Sequence, residues 1–297
     1  MPAINYNHSI SFLPHLLSAS QKAGDAIMEI YQTDFAVEEK DDRSPLTLAD
    51  KRSHRIICDH LKAISDKTIP IISEEGKDVL FNKRTAWEYF WLVDPLDGTK
   101  EFIKRNDEFT VNIALVCRNR PVFGIIYIPA KEIYYFGAQG AGSYKFNDKK
   151  IISRLRNRSV DQEKLLTPED ILSCSSRLPL DKDVNVTAKK FTVIGSRSHA
   201  SQETEIFLNA FRIKYGEFER ISAGSSLKFC LVAEGRADLY PRFGPTMEWD
   251  TAAGQVIVEQ AGGRVVSIED KLPLRYNKES LVNPSFIVQL HKNLNIF

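Results

Sequence analysis

The stretch Tyr89–Phe102, Tyr-Phe-Trp-Leu-Val-Asp-Pro-Leu-Asp-Gly-Thr-Lys-Glu-Phe, constrains this chain more than any other. Tyr89 to Val93 is wholly apolar, aromatic and β-branched, the make-up of a buried strand. Proline cannot donate to a sheet ladder, so Pro95 is expected to end that strand at Asp94. Asp97-Gly98 then marks a turn, and Thr99 with Glu101 behind it opens a helix. Asp94 and Asp97 are thereby held together at the mouth of a buried strand, where like charges repel unless protonated or neutralised. The turn itself supplies no cation. A divalent ion resolves the conflict, with the Leu96 carbonyl as a further oxygen ligand, and an all-oxygen set suits Mg²⁺ or Mn²⁺ rather than zinc. Backbone N–H groups at Gly98 and Thr99 offer an anion such as phosphate a place to dock. The competing reading takes Asp-Pro and Asp-Gly as ordinary turn signals, and the segment alone does not choose between the two.

At 297 residues, 43% apolar and 27% charged, the chain has room for one large core or two medium ones. A boundary near residue 150 divides it into an N-terminal α+β part, 1–150, carrying most candidate ligands, and a C-terminal α/β part, 151–297. A net charge of +1 argues against a surface dedicated to nucleic-acid polymers, though not against a local basic pocket. Cys58, Cys117, Cys174 and Cys230 form no Cys-x-x-Cys pair and read as small core residues of a reducing compartment. No apolar stretch approaches membrane-spanning length, and the first residues lack the pattern of a secretory signal. The expectation is a cytoplasmic protein, free or peripheral on the cytoplasmic face of the inner membrane.

Phe12 to Tyr31 carries apolar residues at three- and four-residue steps, an amphipathic helix. A polar stretch, Glu38–Ser44, ends at Pro45, after which Thr47 is expected to cap a second helix from Ala49 to Ile64 with Asp50 in its first turn. Asp50 there either complements the helix dipole or does chemistry. Ile69 to Ile72 is a short strand ending in Ser73-Glu74-Glu75, where paired acids are either a solvated loop or a second strand end bearing a carboxylate. Thr110–Val116, Val122–Ile128, Ile133–Phe136 and Ser143–Phe146 read as an antiparallel meander. Ser153–Lys190 is polar, with one helix expected near Pro168–Leu172. Strands at 191–194, 217–221, 237–240 and 264–267 then alternate with helices at 203–211, 225–233 and 250–261, an α/β layer. Asp250, in Trp-Asp-Thr-Ala-Ala-Gly (249–254), stands at a helix start as an N-cap, a ligand or both. Gly224-Ser225-Ser226-Leu227-Lys228 is a hydroxyl-rich helix start that reads equally as ordinary capping.

Asp94-Pro95-Leu96-Asp97-Gly98-Thr99, with Glu74-Glu75 before it and Trp249–Gly254 after it, resembles the inositol monophosphatase superfamily. Lys100–Arg105, Gly224–Cys230 and Tyr240–Thr246 are similar to its CysQ-type 3′(2′),5′-bisphosphate nucleotidase branch. The resemblance runs from about Ala23 to Phe286. It implies a layered α/β (αβαβα) sandwich with the site between the halves. By matching motif positions, Glu74, Asp94 and the Leu96 carbonyl would hold one Mg²⁺, and Asp94, Asp97 and Asp250 a second. A third, weaker ion near Glu74 and Asp50, replacement by Mn²⁺ and inhibition by lithium are implied by the family alone. Water is the nucleophile in this reading, with Thr99 paired to Asp50 relaying its proton and Glu74 in the catalytic set. No Cys-x₅-Arg cradle or histidine in a motif points to a phosphoenzyme.

For substrate binding, Glu74, Leu96, Asp97, Gly98, Thr99 and Asp250 would face the transferred phosphate, and Ser225, Ser226, Lys228 and Arg242 the remainder of the molecule. Lys228 and Arg242 are either solvated charges or partners of a second phosphate. With the branch resemblance they favour 3′-phosphoadenosine 5′-phosphate, cleaved to AMP and phosphate, with the sulfated analogue as a second substrate. The role would be clearance of a by-product of sulfate activation, by a monomer or homodimer. The alternatives are an inositol or sugar monophosphatase, which shares every ligand, and a non-catalytic nucleotide sensor. A sensor is expected to have lost Asp50, Thr99 or a ligand, and all are present.

Overall fold

The computed structural model describes residues 9–33, 45–64, 69–156, 166–180, 190–197 and 201–290. The stretch Glu38–Ser44, and 157–165 and 181–189 within Ser153–Lys190, lie outside the described residues. A 3₁₀ turn, Ile10–Phe12, leads into α1 (Leu13–Tyr31), and α2 (Pro45–Ile64) follows. α2 starts earlier than Thr47 suggests. Pro45 takes the first helical position, where a missing N–H costs nothing and φ is already set. Thr47 therefore lies within the first turn and Asp50 in the second, not the first, so Asp50 is no dipole partner at the helix end.

The first sheet has seven strands in chain order: β1 (Ile71–Ser73), β2 (Tyr89–Asp97), β3 (Thr110–Cys117), β4 (Arg120–Ile128), β5 (Ile133–Ala138), β6 (Gly142–Phe146) and β7 (Ser176–Arg177). β1 runs parallel to β2 and every later neighbour is antiparallel, the expected meander. Short helices α3 (Phe81–Arg84), α4 (Thr99–Ile103), α5 (Lys149–Arg156) and α6 (Pro168–Ser173) interleave with it. α5 escapes the sequence reading because half of it is Lys and Arg, yet Ile151, Ile152 and Leu155 bury one face. The second sheet runs β11-β12-β10-β8-β9, from β8 (Thr192–Ser196), β9 (Glu219–Ala223), β10 (Leu239–Arg242), β11 (Arg264–Ser267) and β12 (Phe286–Gln289). Its helices are α7 (Gln202–Tyr215), α8 (Leu227–Ala233) and α9 (Glu248–Gln260). β12, at four residues, is too short to show an alternating pattern.

Strand alternation sorts the side chains into layers. Trp91, Val93, Ile113 and Ile125 of the first sheet meet Leu16, Ile27, Ile57 and Leu61 of α1 and α2. Phe90, Leu92, Ala114 and Ile126 turn the other way, onto Phe229 and Cys230 of α8, Ala253 and Ile257 of α9, and Tyr240, Val265 and Phe286 of the second sheet. That sheet's far face packs Val193, Leu239 and Ile287 on Leu208 and Phe211 of α7. The order is helix, sheet, helix, sheet, helix, the αβαβα sandwich. α9 lies against the first sheet at van der Waals range through Gly124, where an added Cβ would come 2.7 Å from Ala253 Cα. This close approach carries Asp250, on the first turn of α9, to the end of β2.

Candidate active site

The carboxylates meet because strand ends coincide. Ser73 pairs with Val93 in the parallel β1–β2 ladder, and the Glu74 N–H donates to the Val93 carbonyl at 3.1 Å. Glu74, exposed, therefore leaves β1 beside the point where Asp94, 1% exposed, leaves the regular part of β2. β2 does not stop at Asp94. It pairs Asp94 with Asn112 and Asp97 with Thr110, so Pro95 and Leu96 stand opposite Val111 alone. Proline is tolerated because it sits in this bulge, where no ladder donor is needed. The bulge's polar groups are taken up locally: Leu96 N–H donates to Asp94 Oδ1 at 3.1 Å, and Ser53 Oγ, from α2, donates to the Pro95 carbonyl at 2.7 Å. Gly98 follows at φ +90°, a left-handed conformation that only glycine adopts without strain, and opens α4.

Asp97 is fixed from the second half of the chain. Its Oδ2 accepts from Ser226 N at 2.7 Å, with Ser226 Oγ at 2.8 Å, Asn112 Nδ2 at 3.4 Å and Thr110 Oγ1 at 3.5 Å. Ser226 Oγ accepts from Asn112 Nδ2 at 2.9 Å, and shares its single proton between Asp97 and the Asp250 carbonyl, 2.9 Å away. Asp250 is not an N-cap. It is the third residue of α9, and its Oδ2 reaches back to accept from Met247 N at 2.8 Å. The helix end is thus closed by the same side chain that faces β2.

Electrostatically the cluster is one-sided. Asp94 is pushed well above the usual carboxylate range by burial first, then by Asp97, Glu74, Asp250 and Asp50 in turn. Asp250 moves the same way, again through burial and then Asp97. Each of the three aspartates gives one oxygen to the bonds just described and, among the described residues, engages no further donor with the other. Three hard oxygen donors, two further carboxylates in electrostatic reach and the Leu96 carbonyl in the bulge between them make a set that fits a divalent cation. Among the described residues, no three His, Cys, Asp or Glu side chains already close to the spacing of a shared ion. Asp50, on α2, is 7% exposed and acts on Asp94 through space. Thr99 is half-buried on α4, and no hydrogen bond joins it to Asp50.

Asp97, Gly98, Thr99 and Asp250 form one wall of a cavity of about 250 Å³, and Ser225, Ser226, Lys228 and Arg242 line it as well. Lys228 is not a solvated charge. It is 5% exposed, its Nζ donates to the Ser225 carbonyl at 2.5 Å and lies 5.4 Å above the Tyr240 ring. Burial pulls its pKa down to about 8, partly opposed by Asp97. Arg242 Nη2 donates to the Pro245 carbonyl at 3.1 Å, while its buried Nε has no hydrogen-bond partner among the described residues. Ser225 holds a left-handed backbone, φ +43°, and its Oγ donates to the Glu108 carbonyl at 2.6 Å.

Sequence reasoning missed Asn112, Thr110, Glu108 and Arg197. Asn112 had a signal, a lone amide within the apolar run Thr110–Cys117. Glu108 and Arg197 had none, being 89 positions apart.

Five layers with a cavity between the halves, and clustered carboxylates on its wall, define a metal-dependent phosphatase. More narrowly, the chain belongs to the inositol monophosphatase family, which matches it over residues 11–295. It is 41% identical to the 3′(2′),5′-bisphosphate nucleotidase CysQ of Shigella flexneri over 94% of this chain and all of that protein. The CysQ of Escherichia coli K12 is 40% identical over the same shares. Among solved structures, CysQ from Bacteroides thetaiotaomicron superposes with a TM-score of 0.83 at 45% identity, covering 94% of this chain and 97% of that one. An inositol monophosphatase from Zymomonas mobilis, 23% identical, shares the fold with a TM-score of 0.67 over 97% of this chain and 94% of that one. Among the described residues no helix is long and apolar enough to cross a membrane.

Proposed function

We propose that this chain is a 3′(2′),5′-bisphosphate nucleotidase that hydrolyses 3′-phosphoadenosine 5′-phosphate to AMP and inorganic phosphate, with the sulfated analogue as a second substrate. The observation that carries the reading is a single cavity lined by carboxylates and by two cations, the buried Lys228 and the half-buried Arg242 with its buried Nε. A monophosphate uses only the carboxylate wall; a bisphosphate uses the cations as well. Identity of 40% or more with CysQ proteins along nearly the whole chain supports the same activity. Clearing a by-product of sulfate activation is the role that follows.

Glu74, Asp94 and the Leu96 carbonyl would hold one Mg²⁺, and Asp94, Asp97 and Asp250 another, with Asp94 shared between them. Bound there, divalent ions supply charge neutralisation for the attacking and leaving oxygens of phosphoryl transfer. The protein groups do the rest. Gly98 and Thr99, at the head of α4, offer backbone N–H groups to the transferred phosphate. Asp50, held on α2 behind Asp94, takes the proton of the attacking water through Thr99 once substrate draws the two together. Lys228 and Arg242 Nε pair with the second phosphate, which orients the 3′-ester toward the carboxylates. The water oxygen bonds to phosphorus, the P–O(3′) bond breaks, and the nucleoside oxygen takes a proton from a solvent water as it leaves.

The test is phosphate release in Mg²⁺ by the purified protein, comparing 3′-phosphoadenosine 5′-phosphate with inositol 1-phosphate. The nucleotide should be strongly preferred. Preference for inositol 1-phosphate would remove the cationic wall from the argument, and release from neither would make the chain a binding protein.

A further inference from the structure

We propose that Glu108 and Arg197 are positioning residues that hold the carboxylate of Asp97 in place through the turn Gly224–Ser226. The inference rests on Asp97 being a cation ligand of the proposed nucleotidase. Residues 105–108 act as a buckle between the halves. Arg105 and Asp107 both adopt left-handed backbone, φ +52° and +63°, so that consecutive side chains are thrown to opposite sides. Asp107 goes to the N-terminal helices, accepting from Tyr31 Oη at 2.8 Å. Glu108 goes to the second half, and its carboxylate is fully engaged there. Oε2 accepts from Arg197 Nε at 2.9 Å and from Gly224 N at 2.7 Å, while Oε1 accepts from Arg197 Nη2 at 3.0 Å.

Arg197 closes the circuit. Its Nη2 donates to the Ser222 carbonyl at 3.1 Å and its backbone N–H to the Ala223 carbonyl at 3.2 Å. The Glu108 carbonyl receives Ser225 Oγ at 2.6 Å, which pins that residue's left-handed backbone. Four successive residues, 222 to 225, are therefore tied to Glu108 and Arg197, Ser222 and Gly224 through the ion-paired side chains and Ala223 and Ser225 through backbone groups. The next, Ser226, gives Asp97 both its N–H and its hydroxyl. The turn has little freedom to compensate. A Cβ on Gly224 would overlap Glu101 Cγ, and one on Gly98 would lie 2.9 Å from Ser225 Cβ. Bonds from Ser226 take up Asp97 Oδ2 and so aim Oδ1. Releasing the turn weakens the two short bonds from Ser226 and leaves Oδ2 chiefly the longer ones from Asn112 and Thr110, a loosening that a divalent ion with strict geometry registers directly.

The experiment uses the full chain and its variants Glu108→Gln, Arg197→Met, Arg197→Lys and the double Glu108→Gln/Arg197→Met. Mg²⁺ binding without substrate is followed by calorimetric titration. Kcat, KM and half-saturating Mg²⁺ are then measured on 3′-phosphoadenosine 5′-phosphate, with thermal midpoints alongside. The expected result is a loss of about ten-fold in Mg²⁺ affinity and in kcat for Glu108→Gln and Arg197→Met, within the usual range for outer partners of a ligand. KM for the nucleotide should change little, Arg197→Lys should recover part of the loss, and the double variant should be no worse than either single one. Variants with lowered thermal midpoints but unchanged Mg²⁺ affinity would overturn the inference, reducing the pair to a structural latch. A wild-type chain that binds no Mg²⁺ would overturn the inference together with the reading of Asp97 on which it rests.

Discussion

The two walls of the cavity are built by opposite means. One wall is mostly local: Asp97, Gly98 and Thr99 are consecutive, positioned by a bulge and a left-handed glycine, and Asp250 alone joins them from α9. The other is assembled from distant segments, with Ser196 on β8, Ser225 and Lys228 around α8, and Arg242 on β10. They also treat charge differently. On the local wall, buried carboxylates push one another's pKa up, and Arg242 only partly offsets this at Asp250. On the assembled wall, the cations have protein partners in backbone carbonyls and an aromatic face. The carboxylate cluster fits an external cation, whereas the assembled wall already engages Lys228 and leaves only Arg242 Nε without a hydrogen-bond partner among the described residues.

The largest effect should come from breaking the local wall. Asp94→Asn removes a carboxylate that four others oppose, so the fold should survive and, without divalent ions, its thermal midpoint should not fall. Turnover at saturating Mg²⁺ should drop by more than the roughly 100-fold that loss of an outer partner costs, and Mg²⁺ should no longer raise the thermal midpoint. Near-normal phosphate release would dismiss Asp94 as a shared ligand. The second largest comes where the walls touch. Gly224→Ala drives a Cβ into Glu101 and should cost about 1–3 kcal/mol of stability, with kcat falling alongside because the same turn holds Asp97. A urea titration and the assay together decide; unchanged stability would mean that the contact relaxes freely.

The difference between the walls is also why they were unequally legible. Asp94–Thr99 and Trp249–Gly254 could be read as motifs because each is a short run of neighbours in sequence. Even there, two details fail for physical reasons. Pro95 does not end its strand, since a bulge absorbs it, and Asp250 is an internal capping residue rather than the cap. The meander and the α/β alternation were legible from strand and helix periodicity and the five-layer order from the family resemblance, whereas α5 and β12 are too short or too charged to show any pattern. Lys228 was found by motif, but its burial and its bonds to carbonyls are consequences of packing between α8 and β10. Glu108 and Arg197 meet only because both sheets fold onto one cleft, and no local pattern encodes that.

The assembled wall is probed next, and more gently. Lys228→Met keeps the apolar stem and removes the ammonium. If Lys228 pairs with the second phosphate, kcat/KM for 3′-phosphoadenosine 5′-phosphate should fall about ten-fold or more, as for a charge-assisted bond of roughly 1.5–3 kcal/mol. Activity on a monophosphate of the same nucleoside should stay within about two-fold, since that substrate does not reach Lys228. Equal losses on both would make Lys228 a packing residue of the turn, not a discriminator.

The smallest effect titrates the same group. Lys228 sits near 8 in the folded chain against 10.5 when exposed. Between these values the unfolded chain binds a proton that the folded chain does not, so stability from this group rises with pH across the window. Below 8 both states are charged and the burial penalty is present in full. Binding follows the opposite course, because a neutral amine no longer attracts phosphate. The ratio of kcat/KM for the bisphosphate to that for the monophosphate should therefore decline several-fold between pH 7 and about 9.5, with a midpoint near 8 that reports the free enzyme. In Lys228→Met the ratio should be flat and already low, and the alkaline gain in stability should be smaller than in the parent chain. A parent ratio that stays flat would show that the ammonium serves the carbonyls of the turn and not the second phosphate, leaving discrimination to Arg242 and the other charges that line the cavity.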